Sequence, residues 1–137
     1  MEFETVEILI AEDEELDRFL LEHSFKAQML RNPLKFFDNG QELLDFLDTR
    51  LGERMHDRYI IITDINMPLM CGYELLANLK AHPALRHIPA FVLSSSHDES
   101  DVQKASELGI SGYISKENAG EDFMKGLQMI GKEARVS

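Results

Sequence analysis

Five short apolar runs punctuate the chain, and the stretches between them carry apolar residues at helical spacing. The first run, Glu7 to Ala11, is followed by a helix expected over about Glu15 to Lys26, with Leu16, Phe19, Leu20 and His23 on one face. A second strand, Leu34-Lys35-Phe36-Phe37, follows the turn signal Asn32-Pro33. Asp38-Asn39-Gly40 then breaks the chain before a helix whose apolar face is Leu43, Leu44, Phe46 and Leu47. Tyr59 to Thr63 is the third strand, and the helix after Gly72 carries Leu75, Leu76 and Leu79. Pro89 precedes the fourth strand, Ala90 to Leu93. The next helix is expected to start near Asp98, to turn Val102, Ala105 and Leu108 inward, and to stop at Gly109, a residue suited to a left-handed cap. Gly112 to Ser115 is a short fifth strand, and a last helix spans roughly Glu121 to Glu133 with Phe123, Leu127 and Ile130 inward. The polar stretch from Thr49 to Arg58 has no pattern and reads as an extended surface loop, a tolerated insertion.

Strands one, three and four are continuous apolar runs rather than alternations, which calls for burial on both faces, as in a parallel sheet covered by helices. Right-handed crossovers then give a doubly wound α/β architecture. Five strand–helix units suit the flavodoxin-like (βα)5 order 2-1-3-4-5, which makes the carboxyl ends of strands one and three neighbours. Asp13 and Asp64 would face each other there.

A length of 137 residues suits one domain with one core, so residues 1–137 read as a single domain with no output domain after Ser137. Such a chain is either a regulator acting alone through protein contacts or an excised piece. Lys plus Arg number 14 and Asp plus Glu 25, a formal charge of −11, which disfavours nucleic acid and anionic membrane as partners. The lone Cys71 can form no internal disulfide. The five histidines, His23, His56, His82, His87 and His97, show no metal-ligand spacing. The acidic start, Met1-Glu2-Phe3-Glu4, is unlike a signal peptide, and no apolar stretch has membrane-spanning length, so a reducing, cytoplasmic setting is expected.

The chemistry collects at the strand ends. Glu12 and Asp13 follow strand one, Asp64 follows strand three, Ser94 follows strand four and Lys116 follows strand five. Singly these residues are ordinary: an Asp after a strand is commonly a turn residue, Asp13 could cap the first helix, and Ser94-Ser95-Ser96 could cap the fourth. Jointly, an all-oxygen acidic cluster suits Mg²⁺, with Asp13 and Asp64 as direct ligands and Glu12 acting through a water. Lys116 adds a charge for an anion and Ser94 a donor, a set that describes a phosphoryl site in which Asp64 itself can be the nucleophile.

The chain resembles a response-regulator receiver domain of two-component signalling. The likeness rests on Ile8-Leu9-Ile10-Ala11-Glu12-Asp13, on Thr63-Asp64-Ile65-Asn66-Met67-Pro68 with Gly72, on Pro89-Ala90-Phe91-Val92-Leu93-Ser94-Ser95, and on Gly109 to Lys116, in that order from about Ile8 to Ile130. The resemblance implies a phosphorelay role in which Asp64 accepts a phosphoryl group from a sensor histidine kinase or phosphotransfer protein. It implies Mg²⁺ held by Glu12 and Asp13, with Asp64 and the Asn66 backbone carbonyl, while the Asn66 side chain lies near the hydrolytic water. Ser94 and Lys116 would engage the phosphoryl oxygens, and Tyr113 would act with Ser94 as the switch. The output face is then the fourth helix, fifth strand and fifth helix, acting on an unidentified downstream protein, and the family admits a homodimer. Hydrolysis of the aspartyl phosphate would serve only to end the signal, so no enzyme is expected. Glu117 follows Lys116 where the family often has Pro, and Cys71 stands where an acid is common. The lengthened loop around Leu51 to Arg54 and the segment Ala81 to Pro89 resemble those of stand-alone regulators paired with phytochrome-like kinases.

Two other classes compete. A phosphatase or phosphotransferase of the haloacid dehalogenase type also forms an aspartyl phosphate at a strand end, but carries a second Asp two positions later, where this chain has Asn66. A receiver-like interaction module that is never phosphorylated would have no need of Asp13, Asp64, Ser94 and Lys116 together.

Overall fold

The computed structural model describes residues 6–52, 54–94 and 99–131, with backbone alone for 99–102. Its strands are β1 (Glu7–Ala11), β2 (Leu34–Phe37), β3 (Tyr59–Asp64), β4 (Ala90–Ser94) and β5 (Gly112–Ser115). Its helices are α1 (Glu15–Ala27), α2 (Gly40–Asp48), α3 (Met55–Arg58), α4 (Gly72–Ala81), α5 (Glu99–Glu107) and α6 (Ala119–Met129). All strand pairs are parallel and the order is β2-β1-β3-β4-β5, the doubly wound flavodoxin-like arrangement. The expected fourth and fifth helices are thus α5 and α6. The expected end of the last helix at Glu133, the side chain of Val102 and residues Ser95, Ser96, His97 and Asp98 lie outside the described residues.

Alternation along each strand divides the core into two layers, because successive side chains point to opposite faces. Leu9, Ala11, Ile61 and Val92 meet Leu43 and Leu47 of α2, Leu75, Leu76 and Leu79 of α4 and Ala105 of α5. On the other face Ile8, Ile10, Ile60, Ile62, Phe91, Leu93 and Ile114 meet Leu21 and Phe25 of α1 and Phe123 and Leu127 of α6. Phe123 anchors this second layer, with its ring 5.2 Å from that of Phe25 and 5.3 Å from that of Phe91. Gly126 and Gly112 are needed there, since a Cβ on either would run into the Phe91 ring.

Two expectations are corrected. The helix α1 does place Leu16, Phe19 and Leu20 together, but the face they form is exposed, at 66%, 63% and 43%, and His23 is exposed with them. The buried pair is Leu21 and Phe25, one turn apart on another face. The stretch from Thr49 to Arg58 is not wholly an unpatterned loop, because Met55–Arg58 forms a turn of helix that sinks Met55 into the first core layer. Leu108 and Ile130, expected inward, are half-buried and pack against the first and second core layers respectively, just beyond the ends of α5 and α6.

These placements predict opposite outcomes for two phenylalanines of one helix. Phe25→Ala should cost about 3–5 kcal/mol in urea denaturation, the range for emptying a packed aromatic site, whereas Phe19→Ala should stay within about 0.5 kcal/mol of the parent chain.

Candidate functional site

The register of the sheet brings the reactive groups to one edge. Ala11 of β1 lies beside Thr63 of β3, so Glu12 leaves the sheet next to Asp64. Ser94 of β4 lies beside Ser115 of β5, and the Lys116 backbone N–H donates to the Ser94 carbonyl at 3.0 Å. Glu12, Asp13 and Asp64 each offer one carboxylate oxygen within 4.8 Å of the others. Glu12 is fully buried, Asp64 is half-buried and Asp13 is exposed. Asp13 does not cap α1; the N-cap is Glu14, whose backbone N–H donates to Glu12 Oε1 at 3.1 Å. Asn66 is exposed in the loop after β3, Ser94 is buried, and Tyr113 is half-buried against the core layer that includes α4 and Ala105 of α5. The structure therefore gathers Glu12, Asp13, Asp64 and Lys116 into direct proximity and sets Ser94 on the same edge, one strand further along.

The loops that carry these groups are tightly tied. The Asp64 side chain turns back through Oδ1, which accepts the Ile65 N–H at 2.7 Å, leaving Oδ2 toward Lys116. The Gly72 N–H donates to the Ile65 carbonyl at 2.8 Å, and a Cβ at Gly72 would collide with the Asp64 carbonyl, so only glycine lets α4 begin so close to the site. Between them Leu69 takes a left-handed backbone, φ 64°, with its side chain exposed. That conformation costs a non-glycine residue about 1 kcal/mol. The turn after β5 is held by Asp122, whose Oδ2 accepts the Ser115 N–H at 2.9 Å, and by Ser115 Oγ, which accepts the Asn118 N–H at 3.2 Å. The Lys116–Glu117 peptide bond is trans.

Lys116 is the cation of the cluster. Its ammonium lies 3.4 Å from Asp64 Oδ2, 3.4 Å from Glu12 Oε2 and 2.7 Å from Asp17 Oδ2. Burial pulls its pKa down, but the hydrogen bond to Asp17 and the charges of Asp64 and Glu12 together outweigh that and hold it above the usual lysine range. Glu12 moves the opposite way. Its burial, reinforced by the Asp64 charge, raises the carboxyl from 4.5 to about 7, against the pull of the Glu14 N–H and Lys116. Glu12 Oε2 has no hydrogen-bond partner, so the ion pair at 3.4 Å is its sole compensation among the described residues.

Two residues escaped the sequence reading. Asp17, in the first turn of α1, makes the shortest contact to Lys116. Arg18 donates through Nε to the Glu12 carbonyl and bonds Asp38 Oδ1 at 2.7 Å, fixing the β1–α1 turn to the loop after β2. Asp17 lies among Glu12, Asp13, Glu14 and Glu15, and nothing in that acidic run marks it out.

The Glu12 shift carries a pH consequence for the cation-free chain. Its folded form favours the protonated carboxyl, so this stabilisation is complete below pH 4.5 and is lost as the pH rises through 7. Urea denaturation should show on the order of 3 kcal/mol less stability above that window than below it, and Glu12→Gln should flatten the difference. A Glu12→Gln profile as steep as that of the parent chain would assign the effect elsewhere.

A profile of the response regulator receiver domain family matches residues 8–128. Response regulator Rcp1 of Synechocystis sp. is 33% identical over 125 residues, spanning 90% of this chain and 84% of that protein. The solved structure of the bacteriophytochrome response regulator AtBRR superposes with a TM-score of 0.78 at 30% identity, over 93% of this chain and 94% of that one. A Mn²⁺-bound form of Rcp1 superposes with a TM-score of 0.67 at 32% identity, over 91% of each chain. Receiver domains are generally non-enzymatic signalling proteins, phosphorylated by histidine kinases or phosphotransfer proteins. Among the described residues no helix is long and apolar enough to cross a membrane. The sheet order, the acidic edge and the family profile agree: this chain belongs to the response regulator receiver domain family.

Proposed function

We propose that the chain is a phosphorelay response regulator whose phosphoacceptor is Asp64. The observation that carries this reading is the meeting of Lys116 Nζ with Asp64 Oδ2 at 3.4 Å beside the Glu12–Asp13 pair. In the transfer an Asp64 oxygen attacks phosphorus, the P–N bond of a phosphohistidine breaks, and its electron pair returns to the imidazole. The product replaces one carboxylate charge with a phosphoryl dianion at a site already rich in carboxylates, so cationic groups are required. Lys116 supplies one on the protein. The chain also fits a divalent cation, Mg²⁺ in this reading: the donors are all oxygen, and buried Glu12 Oε2 has a lone pair unmatched by any hydrogen bond. Asp13, Asp64 and the Asn66 carbonyl would hold it, with Glu12 acting through a water. When bound, the cation neutralises the attacking carboxylate and the phosphoryl oxygens.

Ser94 and Lys116 then engage the phosphoryl oxygens in the modified state alone. That differential contact is what can shift a two-state equilibrium. The element it would bias is the α5–β5–α6 face, with Ser94 at the end of β4 and Tyr113 on β5 as the moving pair. Hydrolysis of the acyl phosphate, with Asn66 beside the attacking water, returns the carboxylate and ends the signal.

The donor is a sensor histidine kinase or phosphotransfer protein, and the likeness to bacteriophytochrome response regulators points to a kinase of that type. Its docking surface is the exposed face of α1. Leu16 and Phe19 flank Asp17 and Arg18, which touch the site itself through Lys116 and the Glu12 carbonyl. An apolar face left open beside an acidic site fits a protein partner better than a small phosphodonor.

Acetyl phosphate with Mg²⁺ should label the chain, and Asp64→Asn should abolish the label; a retained label would remove Asp64 from this role. Phe19→Ala should leave labelling by acetyl phosphate unchanged while slowing transfer from the kinase about tenfold, the size of effect expected of an aromatic contact at an interface.

A further inference from the structure

The shortest contact of Lys116 is to none of the groups given a part in the phosphoryl chemistry above. Its ammonium lies 2.7 Å from Asp17 Oδ2, against 3.4 Å to Asp64 and 3.4 Å to Glu12. Both side chains of the Lys116–Asp17 pair are 19% exposed, so water screens the contact only in part. Asp17 sits in the first turn of α1, where the helix dipole favours a carboxylate, and among the described residues it has no other ion pair. Lys116, by contrast, is shared among three acids: Glu12 just after β1, Asp64 at the end of β3 and Asp17 in α1.

We propose that Asp17 is a positioning residue that draws the Lys116 ammonium toward α1 and so sets how much of its charge reaches Asp64. This rests on the reading of Asp64 as phosphoacceptor. The ammonium has three N–H donors and reaches both acids, but it lies 2.7 Å from Asp17 against 3.4 Å from Asp64, so closing on an anion at Asp64 shifts it away from Asp17. A phosphoryl group therefore gains Lys116 at the expense of the Asp17 contact, and Asp17 opposes the anion-bound state. The same pull keeps Lys116 off Glu12 and Asp64, leaving their oxygens freer for a cation. Asp17 is thus a brake on the phosphorylated state, mediated by the lysine.

The test is a double-mutant cycle read by titration with beryllofluoride, a phosphoryl mimic, at saturating Mg²⁺, and separately with Mg²⁺ alone. Asp17→Asn should bind beryllofluoride about three- to tenfold more tightly and Mg²⁺ more weakly, a range suited to one partly buried ion pair. Removing a negative charge moves both affinities in those directions through its field alone, so the decisive arm is the Lys116→Ala background. There the Asp17→Asn gain for beryllofluoride should shrink to less than half. A gain undiminished without Lys116, no gain at all, or weaker binding of both ligands would overturn the proposal. If the parent chain with Mg²⁺ fails to bind beryllofluoride, the phosphoacceptor reading itself falls, an outcome distinct from any of these.

Discussion

Several carboxylates forced to one edge of a sheet repel one another, and the site is organised around that repulsion. Glu12, Asp13, Asp17 and Asp64 gather near a single ammonium, that of Lys116. Two consequences are visible in the protonation of the cluster. The lysine is held firmly charged, and Glu12, the most deeply buried acid, takes up a proton far more readily than a glutamate in water. The excess negative charge suits a cation, and among the described residues Lys116 is the ammonium that offsets it.

The rest of the molecule supplies the rigidity that such a cluster needs. Carboxylates separate readily if the backbones under them can move. Here they rise from strands buried on both faces, with β1 hydrogen-bonded between β2 and β3. The loops are pinned by contacts that admit no substitute atoms: glycine at position 72 against the Asp64 carbonyl, and the Gly120 N–H bonded to Ser24 Oγ at 2.8 Å where α6 meets α1. Packing that tight transmits a displacement rather than absorbing it, as a receiver must if a change at Asp64 is to be felt elsewhere.

β1, β3 and β4 were legible almost to the residue because they are continuous apolar runs bounded by Pro, Gly or charged residues, and burial on both faces leaves such runs no other use. The orientation of α1 was not. Leu16, Phe19, Leu20, Leu21 and Phe25 spread apolar residues around the helix, so the stripe that faces the sheet cannot be told from the one that faces out. Met55 was hidden by the polar residues on either side of it. At the site, the sheet order predicted that Asp13 and Asp64 would face each other with Lys116 on the same edge, and the structure brings these groups together with Glu12. Asp17 stayed invisible because its significance depends on where a helix turn lies relative to a side chain from the far end of the fold, a relation that no local pattern encodes.

The Lys116–Asp17 hydrogen bond joins residues 99 positions apart. Closing so long a loop is entropically costly, and it is repaid only when β5 has docked beside β4 and α1 has settled on the sheet. A nascent or partly unfolded chain can present Asp64, Glu12 and Asp13 without ever assembling the ammonium among them. Assembly of this charge cluster therefore reports on completion of the fold: the ammonium that balances the acids follows β5, the fifth of the described strands.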